Sequence, residues 1–199
     1  MMATSTNSDS INILSLIEKG TVGAEIGVWK ASTSRLFLKK QPAKLYLVDP
    51  WSTGPYIAKA QEEGFDLDGY YKRYAKFCGG SEDADFQRMY EKVAQKVAGE
   101  FGDFDNVEIR RELSGTFFAS LDDNYLDWVY VDGDHTFSGC YRDLVDSLRV
   151  VKEGGLIICD DYTFTTYGKS GVTEAVNKFV KENNLKIEQF GNNQAVIRL

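Results

Sequence analysis

Short apolar runs recur along the chain, and their spacing switches between a period of two and a period of three to four. Runs of the first kind are Thr21–Val28, Lys44–Val48, Val107–Arg111, Leu126–Val131 and Leu156–Cys159. Most are β-branched or aromatic-rich, and each predicts a strand. Runs of the second kind predict helices over Ile11–Lys19, Ser32–Lys39, Phe86–Val97, Phe117–Ser120, Cys140–Val151 and Val172–Glu182. In these, Ile13, Leu14, Leu16 and Ile17, then Leu36 and Phe37, then Leu144, Val145 and Leu148, then Val176, Phe179 and Val180 are the inward positions, and Ser32 is the expected N-cap. Gly154-Gly155 reads as a turn into the fifth strand. Lys186–Phe190 and Gln194–Leu199 flank Gly191-Asn192-Asn193, a hairpin signal. Alternating strands and helices predict an α/β, doubly wound, mostly parallel sheet covered on both faces, to which the terminal hairpin adds an antiparallel strand.

The length of 199 residues suits one domain over residues 11–199. The polar start, Met1–Ser10, lacks the cationic and apolar regions of a signal peptide and is expected to be a disordered tail. No run approaches the ~18 apolar residues of a spanning helix. A net charge of −7 argues against nucleic-acid or anionic-membrane partners, which select a basic face. Three cysteines without metal-ligand spacing fit a reduced, cytoplasmic setting. Residues 52–105 depart from the alternation. They are rich in aromatics and charges and are expected to form a helical insertion or lid, and a homo-oligomer contact is also open there. Tyr56, Tyr70, Tyr71, Tyr74, Phe77 and Phe86 are candidates for stacking on an acceptor ring, although aromatics at such spacing more often pack a core.

In open α/β sheets, ligands sit beyond the carboxyl ends of the strands, where strand order reverses. The strand ends here are Glu25-Ile26-Gly27, Asp49, Ser114, Asp132-Gly133-Asp134 and Asp160-Asp161. Four of the five carry a carboxylate, which solvated turns or helix caps explain singly but not together.

Ala24–Ser34 (AEIGVWKASTS) resembles the first motif of class I S-adenosylmethionine (SAM) dependent methyltransferases. Leu47–Trp51, Tyr130–His135 and Glu153–Asp161 resemble later motifs of the same family, in order. The similarity is greatest to the metal-dependent O-methyltransferases acting on macrolide and aminocoumarin sugars, and it covers residues 21–199. It implies a Rossmann-like seven-stranded sheet and transfer of a methyl group from SAM to a sugar or phenolic hydroxyl of a small molecule. By the same resemblance Gly27, Val28, Trp29 and Ser32 hold the methionine end of SAM, Glu25 faces its cationic end, Asp49 accepts the ribose hydroxyls, and Ser114 and Asp132 complete the cofactor site. Asp132, Asp160 and Asp161 end neighbouring strands, and three clustered carboxylates call for a counter-charge; an all-oxygen set suits Mg²⁺. Asp134 is the implied general base, with His135, the single histidine, its competitor. One departure from the family is Ala31, where glycine is usual.

Two other readings compete. Val129–Thr136 (VYVDGDHT) also fits the D-x-D-x-T signature of haloacid-dehalogenase-type phosphatases, although their nucleophile belongs on the first strand. A SAM- or sugar-binding module without catalysis is the other, supported by Ala31 alone.

Overall fold

The computed structural model describes residues 13–163, 170–190 and 193–199. The strands are β1 (Val22–Ile26), β2 (Lys44–Val48), β3 (Val107–Arg110), β4 (Leu126–Val131), β5 (Val151–Cys159), β6 (Ile187–Phe190) and β7 (Gln194–Arg198). They form one seven-stranded sheet in the order β3-β2-β1-β4-β5-β7-β6. The first five are parallel, and β7 inserts antiparallel between β5 and β6. Strand order reverses between β1 and β4, so the binding edge lies at the carboxyl ends of that pair.

Seven helices flank the sheet among the described residues: α1 (Ser34–Lys39), α2 (Gly54–Glu62), α3 (Leu67–Cys78), α4 (Asp83–Phe101), α5 (Ser114–Ala119), α6 (Phe137–Val150) and α7 (Gly171–Glu182). Side chains alternate across the sheet. Leu45, Leu47, Trp128, Tyr130 and Ile158 therefore join one core with Phe37 of α1 and Val97 and Phe101 of α4. Ala24, Ile26, Val129, Val131 and Ile157 join the other, under Phe117, Leu144 and Phe179 of α5, α6 and α7. Both cores are fully enclosed, as a parallel sheet requires.

Several predicted elements need correcting. The expected helix Ile11–Lys19 is a single 3-10 turn, Leu14–Leu16, because the chain turns extended at Ile17 (ψ 117°); its two anchors, Ile13 and Ile17, are nevertheless buried. Residues 1–12, and with them the expected tail, lie outside the described residues, as does the turn at Gly191-Asn192. The first helix starts at Ser34 rather than after Ser32, since Ala31 (φ 59°) holds the loop in the left-handed region and Thr33 takes the N-cap position without a side-chain cap. Gly154-Gly155 does not precede the fifth strand but lies inside it, absorbed by an irregular register against β4 between Leu126 and Trp128. Val145 is 44% exposed: the buried stripe of α6 runs through Cys140, Leu144 and Ser147, and Val145 falls off it. Helices α2 and α3 showed no apolar period, and α3 has no buried residue to produce one.

Gly27 fixes how the two central loops meet. Its φ is +89°, and a Cβ there would lie 2.1 Å from the Asp132 carbonyl oxygen and 2.6 Å from the Gly133 Cα. The amide of Gly27 donates to the Val48 carbonyl (2.9 Å) and that of Asp132 to the Ile26 carbonyl (2.8 Å), so neither backbone can retreat without breaking its ladder. Gly27→Ala is expected to cost at least ~2 kcal/mol from backbone strain and clash together. Thermal unfolding should register this as a fall of roughly 5 °C or more in Tm; an unchanged Tm would mean that the loops are not locked by this contact.

Candidate active site

The period of two that builds the cores also turns Glu25 away from Ala24 and Ile26, toward α1. It is 1% exposed, and its Oε2 accepts a hydrogen bond from the Ser34 hydroxyl in the first turn of that helix. Burial raises its pKa well above the ordinary value; Ser34 opposes the shift, and Asp132, Asp49 and Asp160 add to it. Ser34 was not singled out from the sequence, which pointed to Ser32. Ser32 itself is exposed, two residues before the helix begins.

Asp49 is also buried. Its Oδ2 accepts the Trp29 amide (2.8 Å) and its Oδ1 the Trp51 amide (2.6 Å), while the Trp51 indole donates to the Trp29 carbonyl (2.9 Å). Burial raises its pKa, against these amides and that of Val28. The strand-two acid thus organises the β1–α1 loop, whose Trp29 (φ 43°) projects its ring edge-on toward Tyr74 and Phe77 of α3. Arg35 braces the same loop by donating to the carbonyls of Lys30 (3.1 Å) and Ala31 (2.9 Å). Sequence reasoning missed this residue, because its role is toward the backbone.

At the ends of β4 and β5, Asp132, His135 and Asp161 each present a possible ligand atom, all within 4.8 Å of one another. His135 Nε2 lies 3.5 Å from Asp132 Oδ1 and its Nδ1 3.6 Å from Asp161 Oδ2. Burial alone would lower the imidazole pKa, but the hydrogen bond and charge of Asp132, with Asp161 and Asp134, raise it to about 9. Asp132 is pushed up to about 7, chiefly by burial. Asp161 (φ 54°) also accepts from the Asn193 amide at 2.6 Å. Its neighbour Asp160 turns the other way, toward the Tyr130 hydroxyl and Gln194, whose Nε2 donates to it at 3.2 Å. Of the three predicted metal ligands, Asp132 and Asp161 offer atoms within 4.8 Å together with His135, while the Asp160 carboxylate bonds Tyr130 and Gln194 and acts on Asp132 through its charge. Asn193 and Gln194 come from the terminal hairpin, and nothing in its turn signal announced a place at this edge.

Asp134 faces the inserted helices. Its Oδ1 accepts the Thr136 amide (2.9 Å), and its Oδ2 lies 3.5 Å from Lys59 Nζ of α2. Four residues on, Glu63 accepts the amides of Phe137 (2.8 Å) and Ser138 (2.9 Å), putting a carboxylate on the free N–H groups of α6. Residues 54–101 thus grip both central loops, α2 at β4–α6 and α3 at β1–α1. Of the candidate stacking rings, Phe86 is buried against Tyr70 and Tyr71, whereas Phe77 is 48% exposed; the Tyr56 side chain lies outside the described residues. Ser114 donates to Asp143 of α6 at 2.5 Å, tying α5 to α6.

The methyltransferase domain family matches residues 22–162, which takes in every one of these strand ends. This chain belongs to that family. It is a class I, SAM-dependent methyltransferase. Solved structures similar to this methyltransferase include the O-methyltransferase NovP (13% identity, TM-score 0.62, covering 96% of this chain and 76% of that one). The O-methyltransferase TomG from Streptomyces achromogenes, solved in complex with SAM, is 13% identical with a TM-score of 0.60, covering 98% and 81%. Precorrin-6y C5,15-methyltransferase from Geobacter metallireducens is 14% identical with a TM-score of 0.59, covering 98% and 87%. At these identities the likeness concerns the fold. No curated protein sequence matches the chain. Family membership removes the phosphatase reading, and Asp132 indeed ends the fourth strand, not the first.

Burial of Asp143 has a consequence for stability. Its pKa is raised to about 7, first by burial and then by Asp134, against the Ser114 hydrogen bond and Lys59. An unfolded aspartate titrates near ~3.9. The native state therefore holds a proton that the unfolded state has released between about pH 4 and 7, and stability from this group falls as pH rises through that window. Asp143→Asn keeps the acceptor for Ser114 and removes the titration. Melting curves of the variant and the parent should converge as pH falls to about 4 and below, with the variant increasingly the more stable up to pH 8; a gap independent of pH would refute the assignment.

Proposed function

We propose that this methyltransferase moves the methyl group of SAM to a hydroxyl oxygen of a small molecule, a sugar or a phenolic ring, with a divalent cation, Mg²⁺, at the Asp132–Asp161 edge. The observation that carries this reading is the convergence of Asp132, His135 and Asp161 within 4.8 Å, next to Asp134. The names of NovP and TomG, both O-methyltransferases, agree with an oxygen acceptor.

The donor set fits a hard cation: buried acids that raise one another's pKa are stabilised by a positive charge between them. Asp132 and Asp161 would hold it, with Asp160 or His135 completing the set. When bound, the ion lowers the pKa of the acceptor hydroxyl and orients it. The protein's own groups do the rest. Gly27 brings the β1–α1 loop against the Asp132 backbone, and Glu25, Asp49, Asp132 and Asp160 form a buried acidic rim that favours the cationic centre of SAM. Asp49 retains lone pairs on both oxygens for the ribose hydroxyls, which would share it with the Trp29 and Trp51 amides. Asp134 is the group that takes the hydroxyl proton. His135 is a poorer candidate on geometry, since both its nitrogens face carboxylates of the cluster, whereas Asp134 points toward α2. Methyl transfer then needs chiefly in-line placement of the oxygen, and helices α2 and α3 exclude water over that line.

Calorimetry with S-adenosylhomocysteine should give saturable binding that Glu25→Ala and Asp49→Ala each weaken strongly; no binding at millimolar ligand would overturn the cofactor placement. With an acceptor found by screening sugar and phenolic hydroxyls, Asp134→Asn should lower kcat by roughly 10²–10⁴ with Mn²⁺ and S-adenosylhomocysteine affinities unchanged, while Asp132→Asn and Asp161→Asn weaken Mn²⁺ binding itself. Normal turnover in Asp134→Asn alongside lost turnover in His135→Gln would move the base to His135. Cofactor binding without turnover of any hydroxyl would favour the binding-module reading.

A further inference from the structure

On the α1–α4 face of the sheet, away from the strand-end acids, a groove of about 510 Å³ opens between the β1–α1 loop, the end of α3 and α4. Its charge is opposite to that of the molecule. Lys30, Arg35, Arg88, Lys92 and Lys96 line it, with no acidic lining residue among the described ones, on a chain of net charge −7. Two of the five are matched from outside the groove, Arg35 by Glu100 and Arg88 by Asp85. Lys30, Lys92 and Lys96 have no carboxylate within 4.0 Å among the described residues; Lys30 instead sits 3.5 Å over the Phe77 ring.

Arg88, Lys92 and Lys96 follow one another at intervals of four on α4. Like charges so placed repel along the helix, a cost that an anion between them reverses. Burial lowers the pKa of Lys30, and Lys96 lowers it further, so this ammonium too is short of a negative partner. The floor is apolar, formed by Phe77, Met89 and Val93. The volume is that of a site for a small organic molecule.

We propose that this groove binds an organic phosphate, a phosphate monoester or diphosphate carried on an apolar or aromatic body. Three ammonium groups without an ion pair, of which Lys96 acts on Glu100 only at longer range, call for more than one negative charge in a compact group. A phosphate dianion supplies that charge with three acceptor oxygens, where a single carboxylate does not. The body of the ligand lies on Phe77 and Met89. None of Glu25, Asp49, Asp132, Asp134, Asp160 or Asp161 lines the groove; of the residues assigned to the cofactor only Ser32 does, so the site is distinct from the strand-end acids and S-adenosylhomocysteine should not compete for it.

The test uses the full chain and three probes: 1-naphthyl phosphate, 1-naphthol and inorganic phosphate. Calorimetry should give one equivalent of 1-naphthyl phosphate, at least tenfold tighter than either part alone, and affinity should fall with added salt. Lys92→Gln combined with Lys96→Gln should weaken it at least tenfold while S-adenosylhomocysteine still binds as in the parent. Cys78 offers a second readout, because it lines the groove while Cys140 and Cys159 are buried. Saturating 1-naphthyl phosphate should slow its alkylation by iodoacetamide several-fold. The proposal is overturned if 1-naphthyl phosphate binds no better than its parts, if S-adenosylhomocysteine displaces it, or if the double variant binds it as well as the parent.

Discussion

Mutual repulsion of carboxylates, packed where the sheet changes direction, is the constraint on which the rest of this structure depends. The reversal between β1 and β4 brings Glu25, Asp49, Asp132 and Asp160 to one rim, where burial raises the pKa of each and, for all but Asp49, neighbouring acids raise it further. An unpaired buried charge is costly, so each acid must be given donors. Glu25 receives the Ser34 hydroxyl, Asp49 two loop amides, Asp160 Tyr130 and Gln194, and Asp132 the His135 imidazole. These donors come from α1, the β1–α1, β2–α2 and β4–α6 loops, β4 and the terminal hairpin. The acids therefore hold the rim's loops in place, and they keep a negative potential that a sulfonium or a divalent ion would relieve.

The same constraint explains why the insertion between β2 and β3 is docked rather than loose. A rim of buried acids has to be kept from bulk water if it is to act on a ligand, and α2 and α3 cover it by complementary means. Lys59 brings a cation to Asp134 and Glu63 brings an anion to the N-terminus of α6, so the two contacts of α2 have opposite signs at adjacent points. Helix α3 contributes ring contacts with Trp29, whose amide is held by Asp49. The position of α3 and the geometry of the β1–α1 loop are thereby joined through a single residue.

The layered α/β fold was legible because its strands are short apolar runs ended by acids or glycine, and because parallel strands enclosed on both faces leave a strong pattern. Boundaries failed where a backbone special intervened: Ala31 at positive φ delayed α1, and the Gly154-Gly155 pair lay within β5 instead of before it. Helices α2 and α3 were opaque because they pack on the rim and on α4 and so bury too few side chains to produce a period. At the site, the acids at strand ends were readable as a set, since topology alone places them on one edge. Their orientations were not, and consecutive Asp160 and Asp161 point to different partners. Ser34, Arg35, Asn193 and Gln194 were missed for a common reason: each acts on an acid or a carbonyl that only the folded chain brings near.

Ala31 shows how these levels interact. The family's usual glycine suits a φ of +59°, and alanine there is strained by about 1–2 kcal/mol. Its methyl group is fully buried in the core beneath α1, which recovers part of that cost. Arg35 accepts the rest of the task by holding the Ala31 carbonyl from the helix that follows. The methyl packs in the core and so stiffens the loop from behind. Because the same loop carries Trp29 toward α3 and Lys30 toward the basic groove, that stiffness is shared by the strand-end rim, the α3 contact and the groove.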